Sequence, residues 1–97
     1  MLENDVRRRS QMAAHLGAKI RRRREANGIG LVELGEQIIT PEYPQGVAAS
    51  TLSDWERGRY PMSEAMYWAA HEGIARILAR RREAEAAAQR EAEQGVG

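Results

Sequence analysis

The large apolar side chains of this chain end at Leu78, apart from one valine next to the C-terminus. Hydrophobic residues make up 42% of the 97 residues, but many of them are alanines, and phenylalanine is absent. A core must therefore be built from the Leu, Ile, Val, Met and Trp side chains that precede residue 79. A chain of this length forms one small domain. We expect that domain to be marginally stable or supported by a partner chain.

Two short helices are predicted before residue 40, because apolar residues recur there at helical spacing. The first covers residues 10–27 and ends at an Asn-Gly pair, which commonly terminates a helix. The second covers Leu31–Ile39 and contains Gly35. Glycine inside a helix costs about 1 kcal/mol relative to alanine, so we expect Gly35 to permit the close approach of another helix.

The prolines of ITPEYPQG predict a loop, and two more helices follow it. The third helix begins near Val47 and is ended by Gly58 and Pro61. The fourth begins near Ser63, and the sequence leaves open whether His71–Gly73 interrupts it. The inward stripe predicted for this helix consists of Met66, Ala69, Ala70, Ile74, Ile77 and Leu78.

Residues 79–97 are rich in Ala, Glu and Arg, which are strong helix formers. Because they include no large apolar side chain before Val96, they cannot form a core of their own. Three interpretations remain open: a solvated helical extension, a weak coiled coil with an alanine seam, or a frayed tail.

The net charge of +1 is unevenly distributed along the chain. Residues 1–27 contain eight basic and three acidic residues, a net charge of +5, whereas residues 28–60 contain two basic and five acidic ones, a net −3. Residues 61–97 contain five basic and six acidic residues, a net −1. A basic N-terminal part suits a polyanionic partner, although arginine-rich helices are also simply soluble.

Several classes of protein find little support in the sequence. The chain has no cysteine, which excludes disulfides and thiolate metal sites. The segment HEGIA begins like a zinc-protease helix, but Ala75 stands where the second histidine ligand belongs. We therefore expect no enzyme activity, no metal and no cofactor. No apolar signal region or run of about 20 apolar residues is present, so a cytoplasmic protein without membrane contact is expected.

Two stretches in a fixed order resemble the Cro/lambda-repressor-type helix-turn-helix family, also called the XRE family. They are LGAKIRRRREANGIGLVELGEQI at residues 16–38 and GVAASTLSDWERGRYP at residues 46–61. The resemblance implies an all-α fold with four or five helices. Residues 10–78 would form the helix-turn-helix domain, residues 1–9 a basic arm or extra helical turn, and residues 79–97 a helical extension with a disordered tail.

The resemblance also implies roles for individual residues. Leu31–Ile39 would be the first helix of the motif, and Ala49–Arg57 the recognition helix. Arg24 would form a structural ion pair with Glu56, which would otherwise be an uncompensated charge near phosphates. The residues expected to contact bases are Ala49, Ser50, Thr51, Ser53 and Asp54. Those expected to contact the DNA backbone are Arg57, Arg59, Tyr60, Arg22, Arg23, Arg7, Arg8 and Arg9.

The chain departs from the family pattern in two places. Seven residues, Ile39–Gln45, are inserted between the two motif helices, either as a tolerated excursion or as an additional phosphate or partner contact through Tyr43 or the loop backbone. In addition, Ala48-Ala49 opens the recognition helix where relatives often have polar residues, and Leu31 replaces a common polar phosphate contact. Base reading must then depend on hydroxyl groups, methyl groups and one carboxylate.

The resemblance predicts a sequence-specific double-stranded DNA-binding protein, a small dimeric transcriptional repressor acting on a pseudo-palindromic operator. The dimer contact would lie on residues 66–78 or on the alanine-rich extension. The alternative is a protein-interaction module, such as an antitoxin or assembly adaptor, that uses the same scaffold and binds a protein partner through its C-terminal helix.

Overall fold

The structure, a computed structural model, describes residues 15–95. Within this range the chain forms four α-helices and no strand, which confirms the all-α prediction at that level. The helices are α1 (residues 15–26), α2 (Leu31–Gln37), α3 (Ala49–Glu56) and α4 (Glu64–Gln94). The predicted basic arm and the start of the first helix lie outside the described residues.

A single apolar core joins all four helices and their connections. Its buried members are Ile20, Ile29, Leu34, Ile38, Val47, Leu52, Trp55, Met62, Met66, Ala70, Ile74 and Ile77. All of them precede residue 79, as the distribution of large apolar residues predicts. One expectation was wrong: the second tryptophan, Trp68, is 52% exposed and does not belong to this core.

The helix α2 ends at Gln37, two residues earlier than predicted. The backbone of Ile38 leaves the helical region (φ −89°, ψ 89°), and its side chain is completely buried. Gly35 permits a close approach, but the neighbour is the segment that enters α3 and not a helix. A methyl group at Gly35 would overlap the carbonyl oxygen of Val47. The backbone N–H of Val47 also donates a hydrogen bond to the Gly35 carbonyl oxygen at 2.8 Å.

The helix α4 is continuous over 31 residues, or about 46 Å at 1.5 Å per residue. Ser63 caps its N-terminus, because the Ser63 hydroxyl accepts a hydrogen bond from the backbone N–H of Met66. Gly73 does not interrupt it, because this glycine faces inward and lies against Leu34 and Gln37 of α2. Beyond Leu78 every residue up to Gly95 is exposed or half-buried, so the last part of α4 projects from the core.

Two arginines of α4 hold the ends of the shorter helices. Arg81 donates to the carbonyl oxygens of Asn27 at 2.7 Å and Gly28 at 3.2 Å, just after α1. Arg76 donates to the carbonyl oxygen of Gln37 at the end of α2. The last carbonyls of a helix lack partners inside the helix and favour a nearby cation. The α4 arginines therefore hold the ends of α1 and α2 against the long helix.

Candidate nucleic-acid interface

The helix α3 has one buried side and one polar side. Leu52 and Trp55 lie in the core, with exposed fractions of 0% and 8%. On the other side Ser50 is exposed, whereas Ala49, Thr51, Ser53 and Asp54 are half-buried. All five predicted base-contacting residues thus lie on α3 outside its core-facing stripe.

Arg24 of α1 and Glu56 of α3 form a buried two-point ion pair. The Nε and Nη2 atoms of Arg24 each donate to a carboxylate oxygen of Glu56 at 2.8 Å. The remaining Nη1 donates to the carbonyl oxygen of Ile29 at 2.9 Å. This geometry is the strong, directional form of an arginine–carboxylate contact. The pair expected from the resemblance is present, and it anchors the end of α3 to α1 and to the turn before α2.

The hydrogen bond to Glu56 raises the pKa of Arg24 above its ordinary value, although burial acts in the opposite direction. An arginine with a raised pKa stabilises the fold at every pH below its unfolded pKa. This stabilisation is lost only when the pH rises through the folded pKa, far above neutrality. Among the described residues, no buried side-chain nitrogen or oxygen lacks a hydrogen-bond partner. Every buried nitrogen and oxygen of the Arg24–Glu56 pair therefore has a hydrogen-bond partner.

Gly17 brings the backbone of α1 into contact with the end of α3. A methyl group at this position would overlap the carbonyl oxygen of Trp55 and lie 3.2 Å from the Cα atom of Glu56. Only a residue without a side chain permits this spacing. Gly17 and Arg24 are seven residues apart and therefore lie on the same side of α1. Both contact the same end of α3.

The loop between α2 and α3, which the sequence resemblance marks as an insertion, packs on α3. The ring of Tyr43 meets that of Trp55 edge to face, with 6.0 Å between the centroids. The loop is closed by hydrogen bonds between the backbones of Thr40 and Tyr43 at 3.1 and 3.2 Å. The Thr40 hydroxyl also accepts from the Tyr43 N–H at 3.1 Å. Because the half-buried Tyr43 ring is engaged with Trp55, the insertion braces α3 from the side of the core.

The residues that follow α3 are strongly exposed. Arg57, Arg59 and Tyr60 all lie on the surface, and the Tyr60 side chain is 62% exposed. Arg59 lies 3.7 Å from the carboxylate of Asp54. Asp54 is therefore partly neutralised by a cation of the same segment.

The predicted backbone-contacting arginines of α1 do not share one environment. Arg22 is exposed, but the guanidinium of Arg23 lies within hydrogen-bond distance of both ring nitrogens of His71 on α4. At most one of these contacts is a hydrogen bond, since an imidazole has at most one acceptor nitrogen. Arg21, which the sequence analysis did not select, lies three residues from Arg24 and thus on the α3 side of α1. It pairs with Glu25 at 3.0 Å, and this hydrogen bond lowers the pKa of Glu25.

The acidic charge of residues 28–60 is largely paired. Among residues 15–95, three of its five carboxylates lie within 4 Å of an arginine: Glu33 with Arg81 at 2.8 Å, Glu56 with Arg24 at 2.8 Å and Asp54 with Arg59 at 3.7 Å. Two of these arginines come from α1 and α4, which lie outside the segment in sequence. The net charge of −3 read from the sequence therefore overstates the negative potential at α3.

The sequence did not identify Arg81 as a functional or structural residue. It stands in the middle of the run Arg80–Arg82, and nothing in the local sequence distinguishes it from its neighbours. Helical spacing provides the only available signal, because Arg81 lies four residues after Ile77, on the inward side of α4. Arg76, which holds the end of α2, was missed for a similar reason, since its target is a backbone carbonyl 39 residues away.

None of the described helices is both long enough and apolar enough to span a lipid bilayer. Comparison of the chain with protein-family models, curated proteins and solved structures gave no match. The helix-turn-helix resemblance therefore stays a prediction from the motif residues of the sequence.

Proposed function

We propose that this chain is a sequence-specific double-stranded DNA-binding protein that inserts α3 into the major groove and acts as a dimeric repressor on a pseudo-palindromic site. The observation that supports this most is the anchoring of α3. Its buried face, the Arg24–Glu56 pair and the close contact at Gly17 all fix the helix from one side. The polar side is left outward on a rigid support, as base recognition requires.

The chemistry of that outward side suits weak direct readout combined with backbone contacts. Serine and threonine hydroxyls both donate and accept, the methyl groups of Ala49 and Thr51 suit a thymine methyl, and a carboxylate accepts from cytosine N4. Arg57 and Arg59 stand at the exit of α3, where cations contact phosphates. No arginine on α3 itself is available for a paired contact with guanine, so we expect modest discrimination for each half-site.

The test starts with the selection of bound duplexes from a random pool, followed by binding of the selected duplex at several salt concentrations. We expect an inverted repeat with half-sites about one helical turn apart. The logarithm of the affinity should fall linearly with the logarithm of the salt concentration, by about 0.9 per phosphate contact. Arg57→Ala should weaken binding to all sequences alike and reduce this slope by about one. Arg90→Ala, an exposed arginine near the end of α4, is the matched control and should change neither.

Ser50→Ala should instead alter the recovered sequence and leave the salt dependence nearly unchanged, because a base contact carries sequence information and a phosphate contact does not. Recovery of no preferred sequence, together with absence of binding at low salt, would contradict the proposal.

The alternative, a protein-interaction module, is favoured by one specific observation. Among the described residues, no side-chain hydrogen bond or ion pair joins residues 82–94 to the other helices, so this part of α4 is left open along its length. A partner that binds there would be lost from a chain shortened after Arg82, whereas DNA binding through α3 would persist. Measuring both activities on the shortened chain separates the two proposals.

A further inference from the structure

The first turns of α4 carry a cluster of aromatic side chains outside the core. The ring centroids of Tyr67 and Trp68 are 5.2 Å apart, those of Trp68 and His71 are 5.6 Å apart, and Tyr67 stacks on His71 at 5.9 Å. The Arg23 guanidinium lies against the imidazole of His71. Trp68 is therefore held in place by its neighbours although half of its surface is exposed.

This tryptophan lines a groove of about 350 Å³ between α1 and α4. The lining residues are Leu16, Lys19, Glu64, Tyr67 and Trp68. Three other large hydrophobic side chains are strongly exposed among the described residues, but Val32, Ile39 and Tyr60 do not line this groove. A pre-positioned aromatic side chain in an apolar depression is the usual centre of a protein contact.

We infer that this groove is the contact between two copies of this chain, related by a two-fold axis that passes close to Trp68. The charges on its walls support a second copy as the occupant. Lys19 is on the α1 wall and Glu64 on the α4 wall, and neither forms an ion pair with another described residue. In a two-fold contact the same surface meets itself. Lys19 of each copy then faces Glu64 of the other, and both charges are neutralised.

The position of the groove is compatible with a dimer that uses α3. Lys19 is two residues from Gly17 and thus about 200° around α1 from the contact with α3. The groove therefore opens on the side of α1 away from α3. A partner bound there leaves the polar side of α3 uncovered in both copies.

The inference rests on the dimer of the proposed function but not on DNA, so it is tested by self-association of the full chain without DNA. Sedimentation equilibrium should show a wild-type dimer. Trp68→Ala should raise the dimer dissociation constant at least tenfold, on the order expected for a central aromatic contact. Tyr60→Ala, which removes an exposed aromatic ring outside the groove, is the matched control and should leave it unchanged.

A charge-reversal experiment identifies the partner as a second copy. Lys19→Glu and Glu64→Lys each place like charges against one another in a homodimer, so each variant alone should be predominantly monomeric. Mixed in equal amounts, they should form a heterodimer, because each contact then joins opposite charges again. A contact within one chain cannot restore the dimer on mixing. A misfolded variant cannot restore it either, so recovery of the dimer also shows that both variants are folded.

A wild-type chain that stays monomeric, or a mixture that stays monomeric, would overturn the inference. A dimer unaffected by Trp68→Ala would also overturn it and direct attention to the end of α4. If DNA selection fails while the mixture forms a dimer, the role of α3 is refuted and the groove is retained. If DNA selection succeeds while the mixture stays monomeric, the groove is refuted as the dimer contact and the role of α3 is retained.

Discussion

Arg24 shows how one side chain determines the position of a helix. It satisfies the carboxylate of Glu56 and the carbonyl oxygen of Ile29 together, and it is only 9% exposed. A buried ion pair of this kind need not add much stability compared with apolar residues of equal volume. Removing one partner, however, leaves the other charge buried without compensation. The pair therefore favours the observed arrangement of α1 and α3, because both charges are satisfied in it.

Replacing Arg24 with alanine is therefore expected to lower the free energy of unfolding by about 3 to 5 kcal/mol, because Glu56 would remain buried and unpaired. Arg22→Ala is the matched control on the same helix, since Arg22 is exposed, and it should change stability by less than about 0.5 kcal/mol. Thermal and urea unfolding followed by circular dichroism measure both. Equal melting curves for the two variants would show that the pair does not hold α3.

At the scale of the elements, α4 serves as the support for the two helices before it. Arg81 joins it to the end of α1 and, through Glu33, to the first turn of α2. Arg76 joins it to the end of α2. Without a side-chain donor, the terminal carbonyls of such short helices would depend on water alone. The long helix thus stabilises α1 and α2 by polar contacts as well as through the apolar core.

Arg81→Ala should lower the free energy of unfolding by about 1 kcal/mol, since it removes hydrogen bonds to two terminal carbonyls and one partly exposed ion pair. Arg82→Ala removes an adjacent arginine that makes no such contact and should have no measurable effect. Chemical denaturation distinguishes the two variants: Arg81→Ala should lower the denaturant concentration at the unfolding midpoint, and the dependence of the unfolding free energy on denaturant should stay unchanged. A shift of the same size in both variants would mean that general charge, and not the carbonyl contacts, is responsible.

At the scale of the whole molecule, the chain consists of a compact part followed by an extended one. The core ends at Ile77, whereas α4 continues to Gln94. Its outer part contains alternating charges and alanines, which favour a helix without requiring tertiary contacts. Stability and any function of the extension are therefore expected to be separable.

Ending the chain after Arg82 should leave the unfolding free energy of the compact part within about 0.5 kcal/mol of the full chain, because no member of the apolar core lies beyond Ile77. The helical signal per molecule should fall, and self-association through the Trp68 groove should persist. A large drop in stability, or loss of the dimer, would instead point to an alanine-seamed coiled coil at the end of α4.

Much of the helical pattern was predictable from local residues. The C-terminal end of α3 and the start of α4 followed from glycine, proline and serine positions, since backbone geometry and capping act over a few residues. Tertiary packing accounts for one departure and answers one question that the sequence left open. The helix α2 ends before the buried Ile38, two residues earlier than predicted. The helix α4 continues through Gly73, which packs on Leu34 and Gln37.

The sequence by itself determined that the chain is a set of helices with one core before residue 79, because helix formation and apolar spacing are local properties. Tertiary structure alone decided how chemically identical residues are used. Arg23 lies against His71, Arg81 binds the carbonyl oxygens that follow α1, and Trp68 is exposed although Trp55 is buried. The physical reason is that the partners of Arg23 and Arg81 are about 50 residues away in the sequence. Local spacing does not specify such partners.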